Sequence, residues 1–207
     1  MSKALRQATD TLVQRDAVIR RLHARFGYPA WGRKPKVDER FAYLARSICH
    51  QQLAGKAAAT IWGRTVDAVR GEVTPAAFLA VSPRRLRAAG LSQSKSMAVL
   101  DLARHVAEAR VDLRAIARRD PESIVEELTQ VFGVGRWTAE MFMLGALHHL
   151  DVWSTGDLGV RRGFALATRR KQLPDPQAML PLGDRFRPYR SIACHYFWRL
   201  ADAKTKG

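Results

Sequence analysis

The chain has 207 residues, 47% of them hydrophobic, with 35 basic and 19 acidic side chains and a formal charge of +16. So much apolar material buries a core and excludes a disordered tail, while the charge favours a polyanionic partner, since each neutralised phosphate releases condensed counterions. Two cysteines, Cys49 and Cys194, exclude a disulfide framework and a four-cysteine metal site, and no apolar run reaches the ~18 residues of a membrane span.

Taken in chain order, the elements read as helices. Leu5, Leu12, Val13, Val18, Ile19 and Leu22 recur at near-helical spacing over 2–26, and Gly27-Tyr-Pro29 ends that helix. Residues 27–38 read as an irregular connection, followed by helical patterns over 38–54 and 55–70. Thr74-Pro75 and Ser82-Pro83 are helix starts, a capping hydroxyl and then a proline whose missing N–H costs nothing in the first turn. Gly90 stops the short helix 83–89, and 93–109 is the next amphipathic helix. The stretch Leu86-Arg-Ala-Ala-Gly90-Leu-Ser-Gln-Ser-Lys95 faintly echoes a later glycine hairpin, lacks its second glycine, and reads as an ordinary turn.

Asp120-Pro121 opens a helix that runs into Gly133, and a second helix spans about 136–149. His148 and His149, adjacent at its end, read as solvated residues near the C-terminal dipole. An extended connection over 151–156 leads to a helix from Asp157, and a last helix covers about 188–203. Period-two alternation is nowhere sustained, so the expected class is all-α.

The central string is Leu128-Thr-Gln-Val-Phe-Gly133-Val-Gly135-Arg-Trp137-Thr-Ala139, with Asp157 twenty residues past Trp137. Two glycines one residue apart let the backbone reverse and expose N–H groups without a Cβ in the way. Next to a helix N-terminus those N–H groups and the dipole suit a phosphate, while Leu128, Val131 and Val134 pack the two helices. A GxG between helices is by itself an ordinary structural turn; the longer string is far more specific. It resembles the helix-hairpin-helix–GPD superfamily of base-excision DNA glycosylases, and within it the 3-methyladenine DNA glycosylase II family. Three further segments carry the likeness: Ile48-Cys-His-Gln51-Gln52-Leu53-Ala-Gly-Lys56, Asp151-Val-Trp-Ser-Thr-Gly-Asp157-Leu-Gly-Val-Arg161-Arg162-Gly, and Pro188-Tyr-Arg190-Ser191 with Trp198.

The resemblance implies a helix-hairpin-helix glycosylase fold of two helical lobes flanking a cleft, built as one catalytic unit from residues 1–207. The motif is expected at about 121–149, with lobes that interleave N- and C-terminal segments and without the extra N-terminal β domain that some members carry. It implies hydrolysis of the N-glycosidic bond of alkylated bases such as 3-methyladenine in double-stranded DNA. Asp157 falls on the catalytic aspartate, suited to stabilise an oxocarbenium-like sugar and activate water; locally, Gly156-Asp157-Leu reads equally well as an N-cap. Where lyase-competent relatives carry a Schiff-base lysine stands Trp137, so base release without strand cleavage is expected.

Leu53 is the expected wedge and Gln52 its neighbouring plug, the turn-like Gln51-Gln52-Leu53 favouring this over a place for Leu53 in the core. Trp137, Met141, Trp153 and Trp198 are the expected pocket wall, with indole faces favouring a cationic alkylated purine; Met141 stands where the best-known member has an aromatic residue. Trp31 and Trp62 read as structural. Gly133, Gly135, Thr138, Lys56, Arg161 and Arg162 are expected at the DNA, with Arg190 as a phosphate or structural contact. The carbonyls of Thr129, Val131 and Val134 are the expected ligands of a structural Na or K ion. No other cofactor and no iron–sulfur cluster is expected, and the protein is expected to be a cytoplasmic, nucleoid-associated monomer away from membranes. The alternatives are a glycosylase of the same superfamily for a deaminated or mismatched base, and a non-catalytic hairpin DNA-binding protein.

Overall fold

The computed structural model describes residues 1–53 and 55–205, and every regular element among them is helical. The helix expected over 2–26 is two, α1 (Lys3–Arg15) and α2 (Ala17–Phe26). Asp16 makes the break: its Oδ1 accepts the N–H groups of Val18 and Ile19 at 2.9 and 3.0 Å, a cap that outcompetes helix continuation. Its other oxygen is paired with Arg185 at 2.6 Å, which lets the carboxylate be buried.

Helix α3 (Arg40–His50) starts later and ends earlier than expected; of the residues assigned to it, Ala54 lies outside the described ones. Helix α4 (Gly55–Ala68) follows. Helices α5 (Pro75–Leu79), α6 (Pro83–Ala88) and α7 (Gln93–Ala107) are capped by the hydroxyls of Thr74, Ser82 and Ser92. A 3-10 turn (Ala115–Arg118) precedes α8 (Pro121–Thr129), whose cap Asp120 accepts from Glu122 and Ser123.

Helix α9 (Arg136–Phe142) is shorter than expected because it widens into a π-helix (Met143–Leu147), closed by the N–H of His149 on the carbonyl of Met143 at 2.9 Å. His148 takes φ +54° and stacks edge-on against Trp31 at 5.2 Å. Both histidines are half-buried, not solvated helix-end residues as expected. Beyond Asp157 come α10 (Leu158–Ala167), α11 (Pro176–Leu182) with a 3-10 turn (Asp184–Phe186), and α12 (Arg190–Thr205). Helix α11 was not anticipated, although Asp175-Pro176 repeats the cap-plus-proline signature.

The chain forms two compact units, Met1–Arg33 with Met143–Gly207, and Lys34–Phe142. In the first, Leu12, Ile19, Phe164, Phe186, Tyr196 and Phe197 build a core around α12. Gly163 lets α10 cross α12 in backbone contact, since a Cβ there would fall 1.9 Å from the Phe197 carbonyl oxygen. Arg190 grips the carboxylate of Asp151 at 2.7 and 3.0 Å, and Ser191 accepts the N–H of Val152 at 2.9 Å. Arg190 is thus a clamp fastening the 151–157 connection to α12. In the second unit, Phe41, Leu44, Ile48, Phe78, Leu102, Leu128 and Phe142 are buried together, and α8 packs on α9 as a helical hairpin.

Candidate active site

Within the unit Lys34–Phe142, the hairpin is built on buried apolar anchors, Leu128, Val131 and Val134. Gly133 takes φ +76°, and a Cβ there would lie 2.9 Å from that of Ala98 on α7, so both conformation and contact demand glycine. Gly135 differs. Its φ is ordinary and a Cβ would meet nothing within 4 Å, so its backbone is simply open to approach. Two fastenings escaped the sequence reading: Asp101 Oδ2 accepts the Phe132 N–H at 2.8 Å, and Arg136 pairs with Glu122 across the two helices.

Helix α3 ends at His50, and the chain turns through Gln52 at φ +56°, leaving Leu53 38% exposed. The left-handed turn costs a non-glycine residue about 1 kcal/mol or more. Leu53 is therefore a surface residue and not part of the core. Gln51 Nε2 donates to the Gly133 carbonyl at 3.2 Å and to Thr138 Oγ1 at 3.1 Å. This corrects the expectation for Thr138, whose buried side chain holds Gln51 instead of facing DNA.

Gln51, Gln52 and Leu53 line a hollow of about 390 Å³ with Ser47, His50, Trp137, Thr138 and Met141. The structure thus brings together Gln52, Leu53, Trp137 and Met141, four residues singled out from two distant segments. Trp137 is 45% exposed where it lines this hollow. Ser47 and His50 were missed; their places one turn and one residue before Gln51 on α3 were the available signal. Burial first, then Arg46 and Lys95, lowers the pKa of His50 below the ordinary imidazole value. Lys56 is exposed in the first turn of α4.

Asp157 belongs to the other unit, half-buried at the N-terminus of α10. Its Oδ1 accepts the Val160 N–H at 2.9 Å and the Trp198 indole N–H at 2.7 Å. The N-cap reading therefore holds, and the cap immobilises the carboxylate expected to be catalytic. Trp198, expected as a stacking wall, orients Asp157 through its N–H. Gly159 makes room for this pair, since a Cβ there would lie 2.8 Å from Trp198 Cδ1 and 3.1 Å from Asp157 Oδ1.

One expectation in this unit is corrected. Trp153 is not a pocket wall: it is 7% exposed, donates to the Met179 carbonyl at 2.7 Å and packs against Phe164, Phe186 and Phe197. Arg161 is half-buried and gives its Nε–H to the Pro174 carbonyl at 2.8 Å, a tie to the following loop. Arg162 is exposed and lines a separate hollow with Leu166, Arg170, Lys171 and Leu173. Among the described residues, no cluster of three or more His, Cys, Asp or Glu side chains could hold a metal ion, and no helix is long and apolar enough to cross a membrane.

Residues 45–184 match the model of the HhH-GPD superfamily of base excision DNA repair proteins. The chain is 30% identical over 176 residues to DNA-3-methyladenine glycosylase 1 of Schizosaccharomyces pombe, spanning 82% of this chain and 77% of that protein. Among solved structures it is similar to DNA-3-methyladenine glycosidase of Bacillus halodurans, with a TM-score of 0.86 and 32% identity over 96% of this chain and 91% of that one. It is also similar to the 3-methyladenine DNA glycosylase of Schizosaccharomyces pombe in complex with abasic DNA. There the TM-score is 0.82 and the identity 28%, over 93% and 95% of the two chains.

Proposed function

The chain belongs to the HhH-GPD superfamily of base excision DNA repair proteins, and from that premise we propose that it is a DNA glycosylase releasing alkylated bases such as 3-methyladenine from duplex DNA. The observation that carries this reading is Asp157 held at the head of α10 by two N–H donors to one oxygen. An alkylated purine is cationic, so it leaves C1′ with both bonding electrons as a neutral base and positive charge builds on the sugar. A fixed carboxylate stabilises that charge without reorganising. The attacking water bonds to C1′ and gives its proton to the carboxylate, which leaves an abasic strand intact.

The remaining residues serve delivery. A base inside a duplex must be flipped out, and the gap it leaves filled. Leu53 on its left-handed turn is the wedge and Gln52 the plug. Trp137, with Met141 beside it, offers an indole face to the cationic base. Position 137 carries no amine, so no Schiff base forms there and the reaction is hydrolysis alone. The Gly133–Gly135 backbone takes a phosphate, and Lys56, in the first turn of α4, and Arg162, midway along α10, are exposed cations for the DNA backbone.

The carbonyls of Thr129, Val131 and Val134 would hold an alkali-metal ion. Three uncharged hard oxygens suit such an ion, and the Val131 carbonyl, which accepts the Val134 N–H at 3.1 Å, keeps a second lone pair for it. The ion would supply positive charge next to a phosphate. One copy of the chain acts on the DNA.

The test is product analysis on duplex DNA methylated at ring nitrogens. Free 3-methyladenine is expected, with strands that break only after alkali. No free base, or strands cut without alkali, overturns the proposal. Release only from a deaminated or mismatched substrate in the same panel favours the other lesion class.

A further inference from the structure

On the strength of the glycosylase reading, we infer that one face of α7 is a template that sets the wedge turn against the hairpin, with Lys95 as the positioning residue for the wedge. Lys95 lies in the first turn of α7, after the cap Ser92, where its charge meets the positive end of that helix's dipole. Its ammonium instead reaches the opposite kind of helix end. Nζ donates to the carbonyls of Cys49 at 2.8 Å and Gln51 at 2.5 Å, at the C-terminus of α3. There the dipole is negative and the last carbonyls lack helical donors. Burial lowers the pKa of Lys95, in keeping with an ammonium drawn in from solvent.

Those carbonyls immediately precede the turn that presents Leu53. Without the ammonium, the carbonyls of Cys49 and Gln51 lose the donor that fastens the turn to α7, which frees Gln52 to relax from φ +56° and Leu53 to retreat. A place to retreat exists. A hollow of about 230 Å³ beside the turn is lined by Leu53, Ile61, Leu91 and Lys95 itself, so an apolar wedge gains by folding back into it.

The same helix face holds the hairpin. Three residues after Lys95, Ala98 fills the space beneath Gly133, and three further on Asp101 accepts the Phe132 N–H at 2.8 Å. Positions 95, 98 and 101 follow one stripe of the helix. Gln51 closes the circuit, with its carbonyl on Lys95 and its side-chain amide on Gly133 and Thr138. A backbone grip and a wedge that must act a fixed distance apart on one duplex are thus referred to a single rigid rod. The short connection between α6 and α7, within the stretch 86–95 that the sequence marked only as an ordinary turn, is what brings Lys95 into place.

The test is a double-mutant cycle on single-turnover release of 3-methyladenine from methylated duplex, using wild type, Lys95→Met, Leu53→Ala and the double variant. Lys95→Met is expected to slow release about tenfold, as for a missing charge-assisted contact, to reduce fluorescence of 2-aminopurine placed beside the lesion, and to add nothing in the Leu53→Ala background. Lys95→Arg, which keeps the donors, restores the rate. If Lys95→Met does not fold by circular dichroism, Lys95→Gln takes its place in the cycle. Additive losses, or a wild-type rate for the folded single variant, overturn the inference. A wild type that releases no base from methylated duplex refutes the glycosylase reading itself and is read separately.

Discussion

Replacing Gly159 by alanine adds one methyl group beside Asp157 and sets two effects against each other. Alanine is the better helix former, by roughly 1 kcal/mol in a helix interior, so propensity alone predicts a more stable α10. The added Cβ, however, would sit 2.8 Å from Trp198 Cδ1, 3.3 Å from Trp198 Nε1 and 3.1 Å from Asp157 Oδ1. Relief requires the indole to move, and overpacking of this kind costs about 1–3 kcal/mol. Propensity offsets at most about 1 kcal/mol of that cost, so stability should fall by roughly 0–2 kcal/mol.

Activity should change more, because the displaced group is the donor of the 2.7 Å bond to Asp157. A hydrogen bond to a charged group is worth roughly 1.5–3 kcal/mol, and each ~1.4 kcal/mol is tenfold in rate. Release of 3-methyladenine should therefore slow by about 10- to 150-fold under single-turnover conditions. Trp198→Phe, which removes the N–H without adding bulk, should fall in the same range. A Gly159→Ala protein that melts normally and turns over at the wild-type rate refutes the claim that Trp198 orients Asp157.

Two further outcomes concern the fold. Gly163→Ala puts a Cβ 1.9 Å from the Phe197 carbonyl oxygen and 2.4 Å from its carbon, backbone atoms that cannot rotate away. A loss of about 3 kcal/mol or more, a drop of roughly 6–12 °C in Tm for a chain of this size, is expected in thermal melts; an unchanged Tm contradicts the close crossing of α10 and α12. Burial, and secondarily Arg199, pushes the pKa of His195 from 6.5 down to about 4, so the fold holds it neutral. The unfolded chain then binds one more proton between those values. The contribution is complete above pH 6.5 and is lost as pH falls towards 4, by at most about 1.4 kcal/mol per pH unit. Melts across that range should show the slope in wild type and a shallower one in His195→Leu; equal slopes contradict the burial.

What the sequence made legible was what lies within one or two turns of itself. The cap-plus-proline starts at Thr74, Ser82 and Asp120, and the buried anchors Leu128, Val131 and Val134 around the hairpin, depend on neighbours three or four residues away. Where a distant partner decides, local patterning fails. The apolar stripe over 2–26 runs straight through Asp16, which breaks the helix because Arg185 makes its burial tolerable. The π-helix from Met143 has no local signature, and neither did the shortened α3.

The candidate site divides in the same way. Trp153 and Trp198 are the same residue type in similar settings. Only tertiary packing sends one against Met179 and Phe197 and the other to Asp157. Lys95 was invisible as anything but a surface lysine, because its acceptors stand 44 and 46 residues away. Gln51 was quoted within a motif without a role, and its two acceptors lie on the far hairpin.

The most direct test of the central claim is Asp157→Asn on methylated duplex. Asparagine is nearly isosteric and keeps a carbonyl oxygen for the Val160 N–H, so α10 stays capped and affinity for abasic DNA should match wild type. The neutral amide can neither stabilise a cationic sugar nor take a proton from water, and release of 3-methyladenine should fall to the background rate. Release at the wild-type rate by a folded Asp157→Asn protein would contradict the account.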